Sequence, residues 1–493
     1  MTEERPADVV VVGNGVVGLS IAYELARRAG HLRIVVCGPR HRSGAASAAA
    51  GAMLNTFGEI TKYTLLSAAG EAKFQLCRDA LDRWPAWIDE LKLASGDVDM
   101  DRSLSHGTTV VYNAVSGTLD DQNFAALQAA LTKYDEPYEE IDPRDVPSMR
   151  PVPRARPLRA LHIPREGAID ARSVLSALES ATAALGVRAE DREVTKVLTE
   201  GGRTTGVRLA DGGTIAAGTV LVAAGSFSGK LLDVLPLGAV PLMLAGKGIA
   251  ALTRRTTDGG FTGVVRTPTR SGACGLHVLP LGDGLEYVGA TNALYDEPQT
   301  QADLGQSSFL LQCVYEQLDL RIYKSDIERW LVGNRPATVD GYPLIGRTSI
   351  EGLLFATGTY RDGFHCSPMI ARLVADDLLG EGSLAESLPL FKPERAPIQT
   401  LSPDDAAEEF ALQAVSGGFE DNMSLPPGYG DTSILDNHYR QFARRYYEHL
   451  DTPVGLGMDV LLTVVFDPDP AQNRITRYLN AARRYHGTAV PVG

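Results

Sequence analysis

Four valines at 9–12, followed at once by GNGVVG at 13–18 and an amphipathic stretch to residue 29, constrain this chain more than any other feature. Consecutive β-branched residues read as a buried strand, the glycines as a tight turn, and the stretch after them as a helix. Gly13 permits the turn, Gly15 lets backbone approach a pyrophosphate, and Gly18 lets helix and strand pack closely. Val17 lies in the first helical turn, where unpaired N–H groups and the positive dipole end favour phosphate. A second strand at 33–36 completes the opening of a βαβ unit, so the segment reads as a dinucleotide site.

The acid that normally closes the second strand and bonds ribose is missing; Cys37 and Gly38 stand there. Ribose contacts then fall either to backbone amides or to residues 40–43, with Arg42 and Ser43 as candidates. The next segment, GAASAAAGAML at 44–54, is made of small residues. Through Ala46, Ser47, Ala50, Gly51 and Met53 it would let backbone press against a bulky planar cofactor. It reads equally well as an ordinary alanine-rich helix start.

A length of 493 residues is about three times the ~150-residue prior for one domain, so two or more lobes are expected. The formal charge of −14 repels phosphate backbones and argues against nucleic acid as the main partner. Cys37, Cys77, Cys274, Cys313 and Cys366 show neither a CxxC pair nor metal-type spacing, so free thiols in a reducing compartment and no metal are expected. No stretch approaches the ~20 apolar residues of a membrane span, and MTEERPAD does not read as a secretion signal; the expectation is a soluble cytoplasmic protein.

Farther along, 65–93 reads as one or two helices with Phe74, Leu81, Trp84 and Trp87 as the buried stripe. The Pro- and Arg-rich stretch 143–157 reads as a connector, and Asp170 as the N-cap of the next helix. Strands are expected over 194–210 and 213–225, with TVLVAAGSFS ending in Ala224 and Gly225 as a buried strand does at a cofactor edge. The 236–333 region is strand-rich with a helix at 306–318. It leads to NRPATVDGYPLIG, a strand LLFATG, and TYRDGFHCSP before a helix at 369–379.

Taken in order, GNGVVG, ASAAAGAML, TVLVAAGSFS, LEYVGAT, NRPATVDGYPLIG and ATGTYRDGFHCSP resemble the D-amino-acid oxidase superfamily, glycine oxidases most closely, from about residue 8 to 379. The resemblance implies an α/β fold (α+β taken whole): a Rossmann-like FAD-binding lobe from 1–95, 161–235 and 334–390, and a mixed-sheet substrate lobe from 96–160 and 236–333. Residues 391–493 remain as a mainly helical C-terminal extension. It implies noncovalent FAD, with Val194 at the adenine and the segment from Tyr360 through Arg361, Asp362 and Gly363 to Phe364 bringing a loop and helix start to the flavin's pyrimidine end. Arg335 corresponds to the arginine that holds the substrate carboxylate, a task suited to a planar guanidinium; an ordinary surface ion pair is the plainer reading. Arg361 matches a position near the active site.

One departure stands out. Glycine oxidases carry a tyrosine three residues before the proline of HVLP, and this chain has His277. An imidazole there would titrate near neutrality if it serves the site; a core or solvent-exposed histidine is the alternative. Asn292 and His365 are further pocket candidates.

The implied chemistry is hydride transfer from the carbon bearing the amine of a small carboxylated substrate to flavin. Imine hydrolysis and reoxidation by O2 to hydrogen peroxide would follow, in a specialised biosynthetic setting. The alternatives are a dehydrogenase passing electrons to a partner, and a flavin-binding scaffold acting through the extension. In that extension Pro397 and Pro403 read as a linker and PPGYGD at 426–431 as a loop. Leu435, Tyr439, Phe442, Tyr446 and Leu450 lie on one helix; Ile475, Tyr478, Leu479, Ala482 and Tyr485 lie on another. Between them, 458–466 reads as a strand or a buried helix. Arg440, Arg444, Arg445, Arg474, Arg477, Arg483 and Arg484 make these helices basic, suited to an acidic partner or simply to packing on the body or on a second copy of the chain.

Overall fold

The computed structural model describes residues 5–270, 275–425, 432–450, 452–465, 469 and 473–482. The valine run is the strand Ala7–Val12, hydrogen-bonded in parallel to Ile34–Cys37 on one side and to Thr214–Val222 on the other. Its alternate valines serve two cores, Val9 and Val11 packing under helices and Val10 and Val12 under a β-hairpin on the other face. The sheet continues through Arg188–Glu190 at one edge and Leu353–Thr357 at the other, where Leu344–Arg347 adds an antiparallel strand. A hairpin, Val194–Glu200 and Arg203–Leu209, hangs from Thr214–Val222. Cys37 belongs to the second strand and pairs with Val12, so its thiol is buried and pushed up to about 12, chiefly by desolvation.

Helices Val16–Arg28, Ala68–Ser95, Ala171–Ala184 and Ser367–Leu379 share the core on one face of this sheet. The 65–93 expectation resolves as one helix carrying Pro85 in its interior, and Phe74, Leu81, Trp84 and Trp87 are all buried. Asp170 caps its helix through the Arg172 N–H.

A second sheet runs in the order Ala293–Tyr295, Met243–Arg254, Leu285–Gly289, His277–Pro280, Val264–Arg266, Ser105–Asn113, Pro157–Ala168 and Glu139–Ile141. The long strand Asp326–Thr338 pairs antiparallel with Met243–Arg254, in a register that sets Arg335 opposite Gly246 and Asn334 opposite Lys247. That strand brings Asn334 against Gly44 and Ala45, in the segment that follows the second strand of the first sheet.

Two expectations for the C-terminal region are corrected or resolved. Pro403 opens a helix, Pro403–Glu420, instead of marking a linker. At the first helical position proline's missing N–H removes no intrahelical bond, and Ser402 and Asp405 form a capping box around it. The ambiguous segment is the helix Met458–Val465. Together with Ser433–Leu450 and Arg474–Ala482 it buries an apolar face against Leu242, Leu244, Leu294, Ala337 and Val339 of the second sheet and its flanks.

Three of the basic residues there are engaged in ion pairs. Arg440 pairs with Glu408, Arg444 with Asp404 at 3.1 Å, and Arg474 with Asp233 at 2.5 Å. Cys274, PPGYGD, Arg483, Arg484 and Tyr485 lie outside the described residues. No described helix is long and apolar enough to cross a membrane.

Candidate active site

The glycine turn is built as tightly as its sequence requires. Gly13 adopts φ +118°, and a Cβ there would stand 2.4 Å from the Ala223 carbonyl oxygen. Asn14 ties the turn to the second strand's end, its Nδ2 donating to the Gly38 and Pro39 carbonyls at 3.0 and 3.1 Å. The helix that follows has no side-chain bond from its N-cap, Gly15, and no acid in its first turn, so its dipole end is open to an anion. Among the described residues Ser47 reaches it, accepting from the Val16 N–H at 3.0 Å.

From this turn a cavity of about 460 Å³ runs along the 44–53 segment to the NRP strand. The expected cofactor positions Gly13, Gly15, Val17, Arg42, Ser43, Ala46, Ser47, Ala50, Gly51, Met53, Val194, Ala224, Gly225, Arg361, Asp362, Gly363 and Phe364 all line it. Gly18 stands behind the wall, where it lets helix and strand touch. The cavity fits an elongated dinucleotide with a planar end: a bare helix terminus at one extremity, small residues between, and guanidinium groups at the other.

At that other extremity Arg335 donates from Nη1 to the Thr291 carbonyl and to Asn292 Oδ1, both at 3.0 Å. Its Nη2 and Nε have no partner among the described residues, and the guanidinium lies flat against Gly248. Asn292 sits just outside the cavity lining, so its contact with the site is through Arg335.

Arg361 lines the cavity too, but Nη2 is engaged by Glu59 Oε2 at 2.7 Å while the other Glu59 oxygen takes Arg266. Burial alone would raise the Glu59 carboxyl; the two guanidinium charges outweigh it and hold it at about 2. Glu59 is therefore a fixed anion on the wall of the cavity that Arg335 and Arg361 also line. Sequence reasoning missed it, together with Arg266 and Gly248, because nothing local marks residues that meet only through the fold.

His277 is buried and stacked on Tyr287, ring centroids 5.6 Å apart and planes 5° from parallel. Its Nδ1 faces the Gly275 carbonyl at 2.7 Å; a carbonyl only accepts, so Nδ1 carries the proton and Nε2 does not. Desolvation pushes the ring down to about 3, which corrects the expectation of an imidazole titrating near neutrality. His365 lines the cavity with its ring turned to backbone, Nε2 lying 2.9 Å from the Cys77 carbonyl; burial lowers it to about 4.

Both rings are expected to stay neutral from pH 8 down to pH 5. Long-range ¹H–¹⁵N spectra of the nine histidines, assigned with His277→Gln and His365→Gln, should show these two unmoved; a His277 midpoint near 6.5 would contradict the assignment. The linkage has a definite sign. Below pH 6.5 the unfolded chain takes up protons that these native rings refuse, so their contribution weakens the fold progressively as pH falls toward their native values.

Comparison with known proteins agrees with this geometry. The family profile described as FAD dependent oxidoreductase matches residues 8–377. A glycine oxidase of Pseudomonas putida is 30% identical over 392 residues, covering 78% of this chain and 98% of that protein. The bifunctional protein ThiO/ThiG of Synechocystis is 25% identical over 393 residues, 80% of this chain; the chain spans only 54% of its length, about half. Among solved structures, glycine oxidase from Geobacillus kaustophilus superposes with a TM-score of 0.67 at 23% identity, over 79% of this chain and 99% of that one, a likeness of fold.

Proposed function

Because the chain belongs to the FAD dependent oxidoreductase family, we propose that it oxidises a small amino acid or an N-substituted glycine at the carbon bearing the amine. It is an FAD-binding oxidoreductase acting on the C–N bond of amino acids or amines. The finer reading is carried by one observation: a single cavity is lined by Gly13 and Gly15 at one end and by Arg335 at the other.

When bound, FAD would supply the hydride acceptor, with O2 as the final acceptor and hydrogen peroxide as the accompanying product. The chain's residues do the rest by positioning. The glycine turn and bare helix terminus would hold the pyrophosphate, and residues 45–53 would press against the planar rings. In this reading the cofactor is held noncovalently, since the cysteine on the cavity wall, Cys37, is a buried thiol far from ionisation.

The unengaged edge of Arg335 takes the substrate carboxylate through two parallel N–H bonds, fixing orientation along with charge. Glu59, neutralised by Arg266 and Arg361, contributes no base. None is needed when a neutral amine's C–H is aimed at the acceptor. The imine product hydrolyses in water to a carbonyl compound and ammonia or a primary amine. The extension beyond residue 390 supports a role in specialised biosynthesis.

Anaerobic addition of glycine, N-methylglycine and other amino acids to the purified holoprotein should bleach the flavin with at least one of them. No reduction by any carboxylated amine would sink the proposal. Under air, peroxide should match product mole for mole; a large deficit would point instead to a dehydrogenase that serves another acceptor.

A further inference from the structure

The helix Met458–Val465 lies beyond the family match, and Met458, Val460, Leu461 and Val464 bury its apolar face. Asp459, in its first turn, points neither into that core nor freely into solvent. Its Oδ2 accepts from the Tyr360 hydroxyl at 2.7 Å and from Asn292 Nδ2 at 2.9 Å. Asn292 Nδ2 also donates to the Tyr360 hydroxyl, at 2.6 Å. The opposite end of the same amide, Oδ1, receives Arg335 Nη1.

An amide has a donor end and an acceptor end, and a carboxylate only accepts. Asp459 at the donor end and Arg335 at the acceptor end therefore fix together which way Asn292 faces. With the NH2 held by Asp459 and Tyr360, the oxygen must face the guanidinium. A flipped amide would set N–H donors against N–H donors.

We propose that Asp459 is a positioning residue for the substrate-carboxylate anchor, acting on Arg335 through Asn292, so that the C-terminal extension is part of the active site. The proposal rests on the reading of Arg335 as that anchor. It gives the extension a task in the reaction: from outside the shared fold it supplies the acceptor that holds the donor end of the amide behind the anchor.

The test uses the FAD-loaded full-length protein. Acetate, a carboxylate without an amine, is titrated while the flavin absorbance is followed, and steady-state rates are taken with the amine that bleaches the flavin. Asp459→Ala should loosen acetate and raise KM by about tenfold or more, as loss of a charge-assisted hydrogen bond does, while kcat at saturation moves less than about threefold. Asp459→Asn, which keeps the shape, should shift both in the same direction by less, and it serves if the alanine variant does not fold.

Since the effect runs through Asn292, the double variant Asn292→Ala/Asp459→Ala should bind acetate no more weakly than Asn292→Ala alone. Unchanged acetate affinity and KM in Asp459→Ala, or losses that multiply in the double variant, would overturn the proposal. If no amine bleaches the flavin yet acetate binding depends on both Arg335 and Asp459, the oxidase reading falls and the positioning role stands. If wild type binds no acetate, or Arg335→Ala binds it equally well, the anchor and the positioning role both fall, and bleaching by an amine alone decides the oxidase reading.

Discussion

Arg335→Ala is expected to retain its flavin and lose nearly all turnover of carboxylated amines. Removing one partner of a desolvated charge pair costs about 2–5 kcal/mol, roughly thirtyfold to several thousandfold in kcat/KM. Arg335→Lys should recover little of this, since an ammonium supplies a point charge without the two parallel N–H bonds. A second substitution separates the guanidinium's placement from its presence. A methyl at Gly248 would lie 2.5–2.7 Å from Nη1, Nη2 and Cζ of Arg335, inside any tolerable contact. What it meets is the tip of a flexible side chain, which can swing aside, so Gly248→Ala should fold and bind FAD. The anchor, however, would be displaced, and KM should rise sharply with flavin content unchanged. Normal KM in Gly248→Ala together with full activity in Arg335→Ala would remove the carboxylate anchor from the mechanism.

These two residues also mark where sequence reading succeeds and stops. Arg335 was legible because it stands in NRP at a fixed place in a series of motifs. Gly248 was not, because a glycine among apolar strand residues carries no sign of the side chain lying on it. The glycine turn was legible for a local reason: strand, turn and helix adjoin in the chain, and each glycine's task follows from its neighbours.

Glu59 and Arg266 are 207 residues apart, and their pairing exists only once both sheets are assembled. His277 was found by its departure from a pattern, yet its protonation depends on burial and on the Gly275 carbonyl, which no spacing reveals. Pro403 was misread because proline was weighed as a breaker without the Ser402–Asp405 capping box around it. Asp459 lies in a segment outside every motif, one that reads equally as a strand or a buried helix, and an apolar run describes packing rather than chemistry.

Gly18→Ala is expected to abolish FAD retention, for a reason opposite to that at Gly248. Its new methyl would stand 2.0 Å from the Gly13 carbonyl oxygen and 3.3 Å from Val11 Cγ1. Both belong to the strand and turn beneath the helix, and the carbonyl is backbone, so no side chain can move out of the way. The helix Val16–Arg28 would have to lift from the strand Ala7–Val12, and its N-terminus would leave the position from which it meets the pyrophosphate. Overpacking of this kind costs about 1–3 kcal/mol or more in stability, and the displaced terminus adds the loss of the cofactor's main anion site.

The variant should therefore purify colourless and melt at a lower temperature, with added FAD restoring little. Gly218→Ala is the matched control. It lies in the neighbouring strand Thr214–Val222, away from the cavity, with nothing within 4 Å of the added methyl. It should keep its flavin and gain about 0.4–1 kcal/mol from the stiffer unfolded chain. Flavin content at wild-type level in Gly18→Ala would mean that the close approach of helix to strand is not what seats the dinucleotide.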